Sequence, residues 1–314
     1  MPSPLLHAVQ CQDSNAVMML LSRGACVSKK YSNDNSLLHI ASDADSVEWL
    51  SKFGARSNVR NRWNCTPLHS AVIDGKRDVL EALLKADDRV SAPCSNCVNS
   101  SNDFGESPLH IAAAVGNIEV AQALLACGAR PQSIDNRGAT PLHIAVLYAH
   151  HDIVMALLAG GANVGRANDE EKTALHIACD FGGLLSFAII DALLAHGAPT
   201  ACGESNGCTP LHVAILSSIQ HKVTCGEAES QAKPQAISDV PGISDVSSRK
   251  ESAPLCASVN TSGEEVVEFL LNHGAPVDAR NHQGKSPLRL ACEKGHLGIA
   301  RILLRAGAPP GVGG

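Results

Sequence analysis

The 314-residue chain carries 25 Lys and Arg against 31 Asp and Glu, a net charge of −6 with its histidines neutral. That balance excludes the broad basic footprint of a general nucleic-acid or anionic-membrane binder. No apolar run is long enough to cross a bilayer, the longest being broken by Asp191, and the N-terminal MPSPLLHAVQCQD has neither the basic nor the apolar stretch of a secretory signal. Several of the 12 cysteines, among them Cys127, Cys179 and Cys292, stand where small core residues are expected. They read as reduced small hydrophobes, which points to the cytoplasm or the nucleus.

Taken in order, the chain repeats one phrase. It comes as PLLHAVQCQDSNAVMMLLSRGAC from Pro4, SLLHIASDADSVEWLSKFGAR from Ser36 and TPLHSAVIDGKRDVLEALLKADD from Thr66. It continues as SPLHIAAAVGNIEVAQALLACGAR from Ser107, TPLHIAVLYAHHDIVMALLAGGAN from Thr140 and TALHIACDFGG from Thr173. A split copy opens TPLHVAIL at Thr209 and resumes EEVVEFLLNHGAP at Glu264, and SPLRLACEKGHLGIARILLRAGAP closes the series from Ser286. Each copy predicts a helix, a tight turn, a second helix and a glycine stop. Thr140 suits an N-cap and Pro141 the first helical position, which needs no donor. Ile153, Val154, Leu157 and Leu158 recur at helical spacing, and Gly160 or Gly161 supplies the positive φ that ends the helix. One copy cannot bury both of its apolar stripes, so neighbours must stack.

His110 to His143 and His143 to His176 are both 33 residues apart. That period with that phrase resembles the ankyrin repeat family. The resemblance implies an all-α fold, an ankyrin-repeat solenoid of about eight helix-turn-helix units joined by β-turn fingers, forming one array over residues 1–314. The units span residues 4–35 (an N-terminal cap), 36–65, 66–90, 107–139, 140–172, 173–208, 209–285 and 286–309 (a C-terminal cap). A loop insertion occupies 91–102 and reads as mobile, and 221–262, rich in Ser, Ala, Glu, Gln and Pro, reads as disordered. Seven histidines (His7, His39, His69, His110, His143, His176, His212) fall at the motif position. In the family this imidazole bonds to the Thr hydroxyl and nearby backbone, so the role implied is structural. The eighth copy has Arg289 instead. Trp49 and Phe53, on the second helix of the second unit, are assigned to core packing.

No catalytic constellation emerges: there is no GxSxG, Walker loop or HExxH. Cys94 and Cys97 make a lone CxxC without a second ligand pair, so no metal, no cofactor and no enzyme activity are expected. In ankyrin arrays the fingertips and the ends of the first helices line the binding face. Carried onto this chain, the implied protein-binding residues are Arg62, Trp63, Ile73, Asp74, Phe104, Arg137, Leu147, Tyr148, Asp180 and Phe181. The residues after the finger glycine position (Cys65, Glu106, Ala139) are placed on the same face. Four of the nine aromatics (Trp63, Phe104, Tyr148, Phe181) fall there in successive units, and aromatic and Arg side chains anchor protein interfaces. Lys29, Lys30, Arg56, Arg60 and Arg62 add a basic rim. The reading is a non-catalytic, monomeric protein–protein interaction scaffold or adaptor, without nucleic-acid or membrane partners. Two alternatives are a ubiquitin-ligase substrate receptor of the ankyrin and SOCS-box kind, although no SOCS box is seen, and the repeat part of a larger enzyme or channel.

Overall fold

The computed structural model describes residues 3–87, 95–181, 184–223 and 263–310, and of residues 87, 95, 96, 181, 184–186 and 219–223 the backbone only. The fold is that of an ankyrin solenoid, built of helix pairs, and the described residues form no strand beyond an isolated antiparallel bridge between Ala167 and Thr173. They group into two compact units, residues 3–136 and residues from 137 onward.

In the first unit the helix pairs are Pro4–Gln10 with Ser14–Ser22, Leu37–Ile40 with Ala44–Lys52, Pro67–Ile73 with Arg77–Asp87, and Pro108–Val115 with Ile118–Ala126. In the second they are Pro141–Leu147 with His151–Ala159, Ala174–Phe181 with Leu184–Ala195, Pro210–Val223 with Gly263–Asn272, and Pro287–Glu293 with Leu297–Arg305. The split seventh copy is therefore one repeat in space: the helix Gly263–Asn272 packs on Pro210–Val223 despite the long interval between them. Loop-closure entropy grows only slowly with length, so such an excursion is tolerated. Most of 221–262, the segment expected to be disordered, lies outside the described residues.

The stripes read from the sequence are the core. Ile153, Val154 and Leu157 are sealed in the second unit, as Leu109, Val120 and Leu124 are in the first. Each such side chain contributes about 1.5–3 kcal/mol by leaving water. Alanines at Ala112, Ala113 and Ala145 are fully buried and let the paired helices approach closely.

The motif histidines join one repeat to the next. Thr140 N–H donates to His143 Nδ1 at 3.1 Å, and the Thr140 hydroxyl lies 2.8 Å from the same nitrogen. A backbone N–H can only donate, so Nδ1 carries no proton, the hydroxyl donates too, and Nε2 holds the hydrogen. Nε2–H then reaches Lys172 O, the residue just before the next cap, at 3.1 Å. His39, His69, His176 and His212 repeat this arrangement onto the carbonyls of Cys65, Glu106, Cys208 and Lys285 at 2.9, 3.2, 3.1 and 3.2 Å. His7 does not. Pro4 opens its helix, so Leu6 occupies the third helical position and His7 the next; His7 is exposed beside Cys11 Sγ. In the last copy Ser286 Oγ simply accepts from Arg289 N–H, and Arg289 pairs with Glu293.

Two other expectations are corrected. Within 91–102, Ser95–Val98 is helical, and Cys97 and Val98 are buried. Asn99 pins this stretch to the following repeat, donating to Gly128 O at 3.1 Å and accepting from Arg130 N–H at 2.7 Å. Two apolar side chains and one bridging amide anchor what polar composition alone reads as a loop. Phe53 is 41% exposed rather than buried, because it follows the last turn of its helix, whose inward stripe ends at Leu50. Trp49 is half-buried under Lys52, whose Nζ lies 4.5 Å from the ring centroid.

Burial pushes the imidazoles of His39, His176 and His212 down, and that of His69 down to about 4 from an ordinary 6.5. Below pH 6.5 the unfolded chain takes up protons that the folded one refuses, so stability is full above that value and lost toward pH 4. Between those two values His69 contributes a slope approaching about 1.4 kcal/mol per pH unit, and His39, His176 and His212 add to it in the same direction. Urea unfolding followed by circular dichroism should give a midpoint that is level from about pH 8 to 7 and falls between about pH 6.5 and 5, above the range where carboxylates titrate. A midpoint that stays level over that interval contradicts the assignment.

Candidate protein-binding surface

Each finger is a six-residue turn whose first residue organises it. Asn61 Oδ1 accepts from Trp63 N–H and Cys65 N–H at 3.1 and 3.0 Å. Asn102 does the same for Phe104 and Glu106, Asn168 for Glu170 and Lys172, and Asn281 for Gln283 and Lys285. The backbone closes the turn: Gly105 N–H donates to Asn102 O and Asn102 N–H to Glu106 O, both at 3.0 Å. The fourth residue has positive φ, which glycine adopts freely. It is Gly105 at 77° and Gly138 at 69°; a Cβ on Gly105 would lie 2.5 Å from Asn136 Oδ1. Glu171 stands in the same place at 60° without that freedom.

Successive fingertips are then sewn together, each by a backbone hydrogen bond. In the first unit Arg62 N–H donates to Asn33 O at 2.9 Å, Asp103 N–H to Trp63 O at 3.1 Å and Asn136 N–H to Phe104 O at 3.0 Å. In the second, Asp169 N–H donates to Arg137 O at 3.0 Å, Ser205 N–H to Glu170 O at 3.2 Å and His282 N–H to Asn206 O at 2.9 Å. The tips are therefore held in register before any partner arrives.

On this frame the expected residues distribute unevenly. Trp63 and Phe104 occupy equivalent positions on adjoining, hydrogen-bonded fingers of the first unit, both half-buried, with exposed Arg62 beside Trp63. Ile73 is half-buried at the end of a first helix, and exposed Asp74 caps it. In the second unit the equivalent tips are polar and exposed: Arg137, Glu170, Asn206 and Gln283. Leu147 ends the helix Pro141–Leu147, and Tyr148, its C-cap, lies near-parallel to His150 at 13° with ring centroids 6.2 Å apart. Between them Ala149 sits at φ 55° where the preceding repeat has Gly116. Asp180 is exposed near the end of the helix Ala174–Phe181, whereas the side chain of Phe181 lies outside the described residues.

Cys65, Glu106 and Ala139 do not belong to the surface. All three are buried, and the carbonyls of Cys65 and Glu106 accept the histidine bridges that lock the stack. Sequence reasoning also missed Glu204, which replaces the organising Asn in its finger. It is 8% exposed, its Oε2 has no hydrogen-bond partner, and burial pushes the carboxyl up against the opposing pull of Lys172 Nζ at 3.9 Å. The signal was available: five residues before the cap stands Asn at 61, 102, 168 and 281 and Asp at 135, whereas Glu204 holds that place before Thr209. Among the described residues no group of His, Cys, Asp and Glu is arranged to hold a metal, and no helix is long and apolar enough to cross a membrane. Cys94, the other half of the CxxC, lies outside the described residues.

A family model described as ankyrin repeats (3 copies) matches residues 5–94, 89–168, 149–225 and 235–312. The chain belongs to the ankyrin-repeat family. It is 30% identical to the B-cell lymphoma 3 protein homolog of Mus musculus over 248 residues, 79% of this chain and 45% of that protein. Over 139 residues it is 27% identical to the human transient receptor potential cation channel subfamily A member 1, covering 43% of this chain and 12% of the channel. The crystal structure of the ankyrin repeat domain of Bcl-3 superposes with a TM-score of 0.60 at 27% identity, covering 68% of this chain and 93% of that one. The chain thus spans less than half the length of these curated relatives. Ankyrin repeats generally mediate protein–protein interaction and are typically non-enzymatic.

Glu171→Gly should raise stability by about 1 kcal/mol, since it removes a left-handed non-glycine residue. Asn168→Ala, which strips two backbone N–H groups of their acceptor, should lower it by about 1–3 kcal/mol. Urea midpoints of the two variants should therefore move in opposite directions, and a shift in the same direction for both would contradict this account of the fingers.

Proposed function

We propose that the chain is a non-catalytic scaffold or adaptor, monomeric and acting in the cytoplasm or nucleus, that binds a partner protein on its fingertips and first-helix ends. The observation that carries this reading is the pair Trp63 and Phe104, half-exposed aromatics on adjoining fingers whose backbones are already bonded to one another. Large rigid side chains on an ordered frame lose little conformational freedom on binding, which is what makes them efficient anchors. Arg62, Ile73 and Asp74 supply polar and apolar surroundings for them in the first unit, and Arg137, Leu147, Tyr148, Asp180 and Phe181 a second set in the other. The cysteines described are all free thiols, in keeping with a reducing compartment.

A second reading, the repeat part of a larger channel, is favoured by the 139-residue match to the transient receptor potential channel. It would use the same surface, with the rest of the channel or its regulators as partner.

Affinity capture from cell extract, with wild type beside a Trp63→Ala, Phe104→Ala, Tyr148→Ala triple variant of matched circular dichroism, tests the proposal. A protein retained by wild type and lost from the variant is the expected outcome. Identical retained sets would overturn the aromatic surface.

A further inference from the structure

Two loops of the first unit, residues 23–36 and 53–65, hold six basic residues (Arg23, Lys29, Lys30, Arg56, Arg60, Arg62) and a single acid, Asp34. All six are exposed. Cations in the rest of the described chain commonly have acidic neighbours: Lys52 has Glu48, Lys76 has Asp74, Arg77 has Glu81, Lys172 has Glu170, and Lys285 and Arg289 share Glu293. The six in these loops make no ion pair among the described residues. Two of them are held in place by backbone carbonyls and a third lies by an aromatic ring. Arg60 Nη1 donates to Asn64 O and Ser101 O, each at 2.7 Å, Lys30 Nζ lies 3.4 Å from Arg60 O, and Lys29 Nζ lies 5.9 Å from the Tyr31 ring centroid.

Between the two loops is a cavity of about 430 Å³, within the range of pockets that take a side chain or small ligand. Lys30 and Arg56 stand among its lining residues together with Val27, Leu37, Leu38 and Val59. Val27 and Val59, both half-buried, supply the accessible apolar floor of the cavity, backed by the fully buried Leu37 and Leu38. Charge on the rim and hydrocarbon below it ask for two different things of one ligand: carboxylates outside and an aliphatic group inside. A nucleic acid would meet the rim and leave the floor empty.

We infer that this cavity and its basic rim are a docking site for an acidic peptide segment of a partner protein. One aliphatic side chain of the segment enters the cavity, and flanking Asp or Glu carboxylates pair with Lys30 and Arg56. The Arg56 guanidinium can take a carboxylate with two parallel hydrogen bonds, whereas Lys30 acts as a point charge. The site stands apart from the aromatic fingertips and does not rest on the reading given for them.

The test is fluorescence anisotropy of the full chain with a labelled peptide of about twelve residues, a single Leu flanked by Glu and Asp, in about 50 mM salt, where surface electrostatics are least screened. Saturable binding is expected, weakened about tenfold or more by Lys30→Glu with Arg56→Glu, the loss expected when an interfacial charge pair becomes a repulsion. The milder Lys30→Gln with Arg56→Gln should weaken it in the same direction, which keeps the test decisive if the reversed pair folds poorly. Replacing the peptide Leu by Ser should weaken binding severalfold, while Lys85→Glu on the second helix of the third repeat should leave it unchanged. The proposal is overturned by the absence of peptide binding, by equal affinity in the neutral double variant, or by a single-stranded oligonucleotide of matched charge binding as tightly as the peptide. Failure here with success of the triple-alanine capture removes this site and leaves the fingertip reading in place.

Discussion

The array depends on a neutral imidazole that faces two ways. Its Nδ1 closes the cap of its own helix, and its Nε2–H reaches the last carbonyl of the next finger, so a single side chain joins local to lateral order. That geometry requires the ring to be unprotonated, and at His39, His69, His176 and His212 burial favours the neutral form. Because the same carbonyl-bearing residue also closes the finger turn, helix start and finger cannot move independently of the neighbouring repeat.

The surface inherits its order from this scaffold. Asn61, Asn102, Asn168 and Asn281 fix their turns from within, and the bond from tip to tip fixes them from without. Departures from the pattern fall where side chains have other roles. Glu204 gives up the two backbone bonds that an Asn would accept, and its Oε2 has no hydrogen bond and only the distant charge of Lys172. Ala149 takes a left-handed conformation between the stacked Tyr148 and His150, and Glu171 does so beside the acidic tip of Glu170. Local strain of this kind persists only where the surroundings impose it.

The two loops that precede the second and third caps show how charge behaves when the frame is rigid. Elsewhere several cations, Lys52, Arg77 and Arg289 among them, find acids one helical turn away. In residues 23–36 and 53–65 there is almost no acid to find, and backbone carbonyls hold Arg60 and Lys30 without neutralising them. Cations held this way face solvent around an apolar floor, an arrangement that a second molecule can complete.

The sequence by itself determined the repeat, the helix pairs, the buried stripes and five of the histidine bridges, because each is a short-range pattern: a cap, a period, a glycine at a fixed offset. It misplaced His7 by one position because Pro4 stands where the other copies have a Ser or Thr cap, so Ser3 becomes the cap and the helix starts at Pro4. It put Cys65, Glu106 and Ala139 on the surface because their spacing from the tip is the same as that of exposed residues. Which way Cys65 and Glu106 face is decided by the carbonyls they present to the preceding histidine, and that contact spans 26 residues for Cys65 and 37 for Glu106. Tertiary structure alone decided the burial of Cys97 and Val98, the pinning of Asn99, the exposure of Phe53, and the meeting of Lys30 and Arg56 over one cavity. These depend on which surfaces neighbouring repeats cover, a long-range matter that no local pattern records.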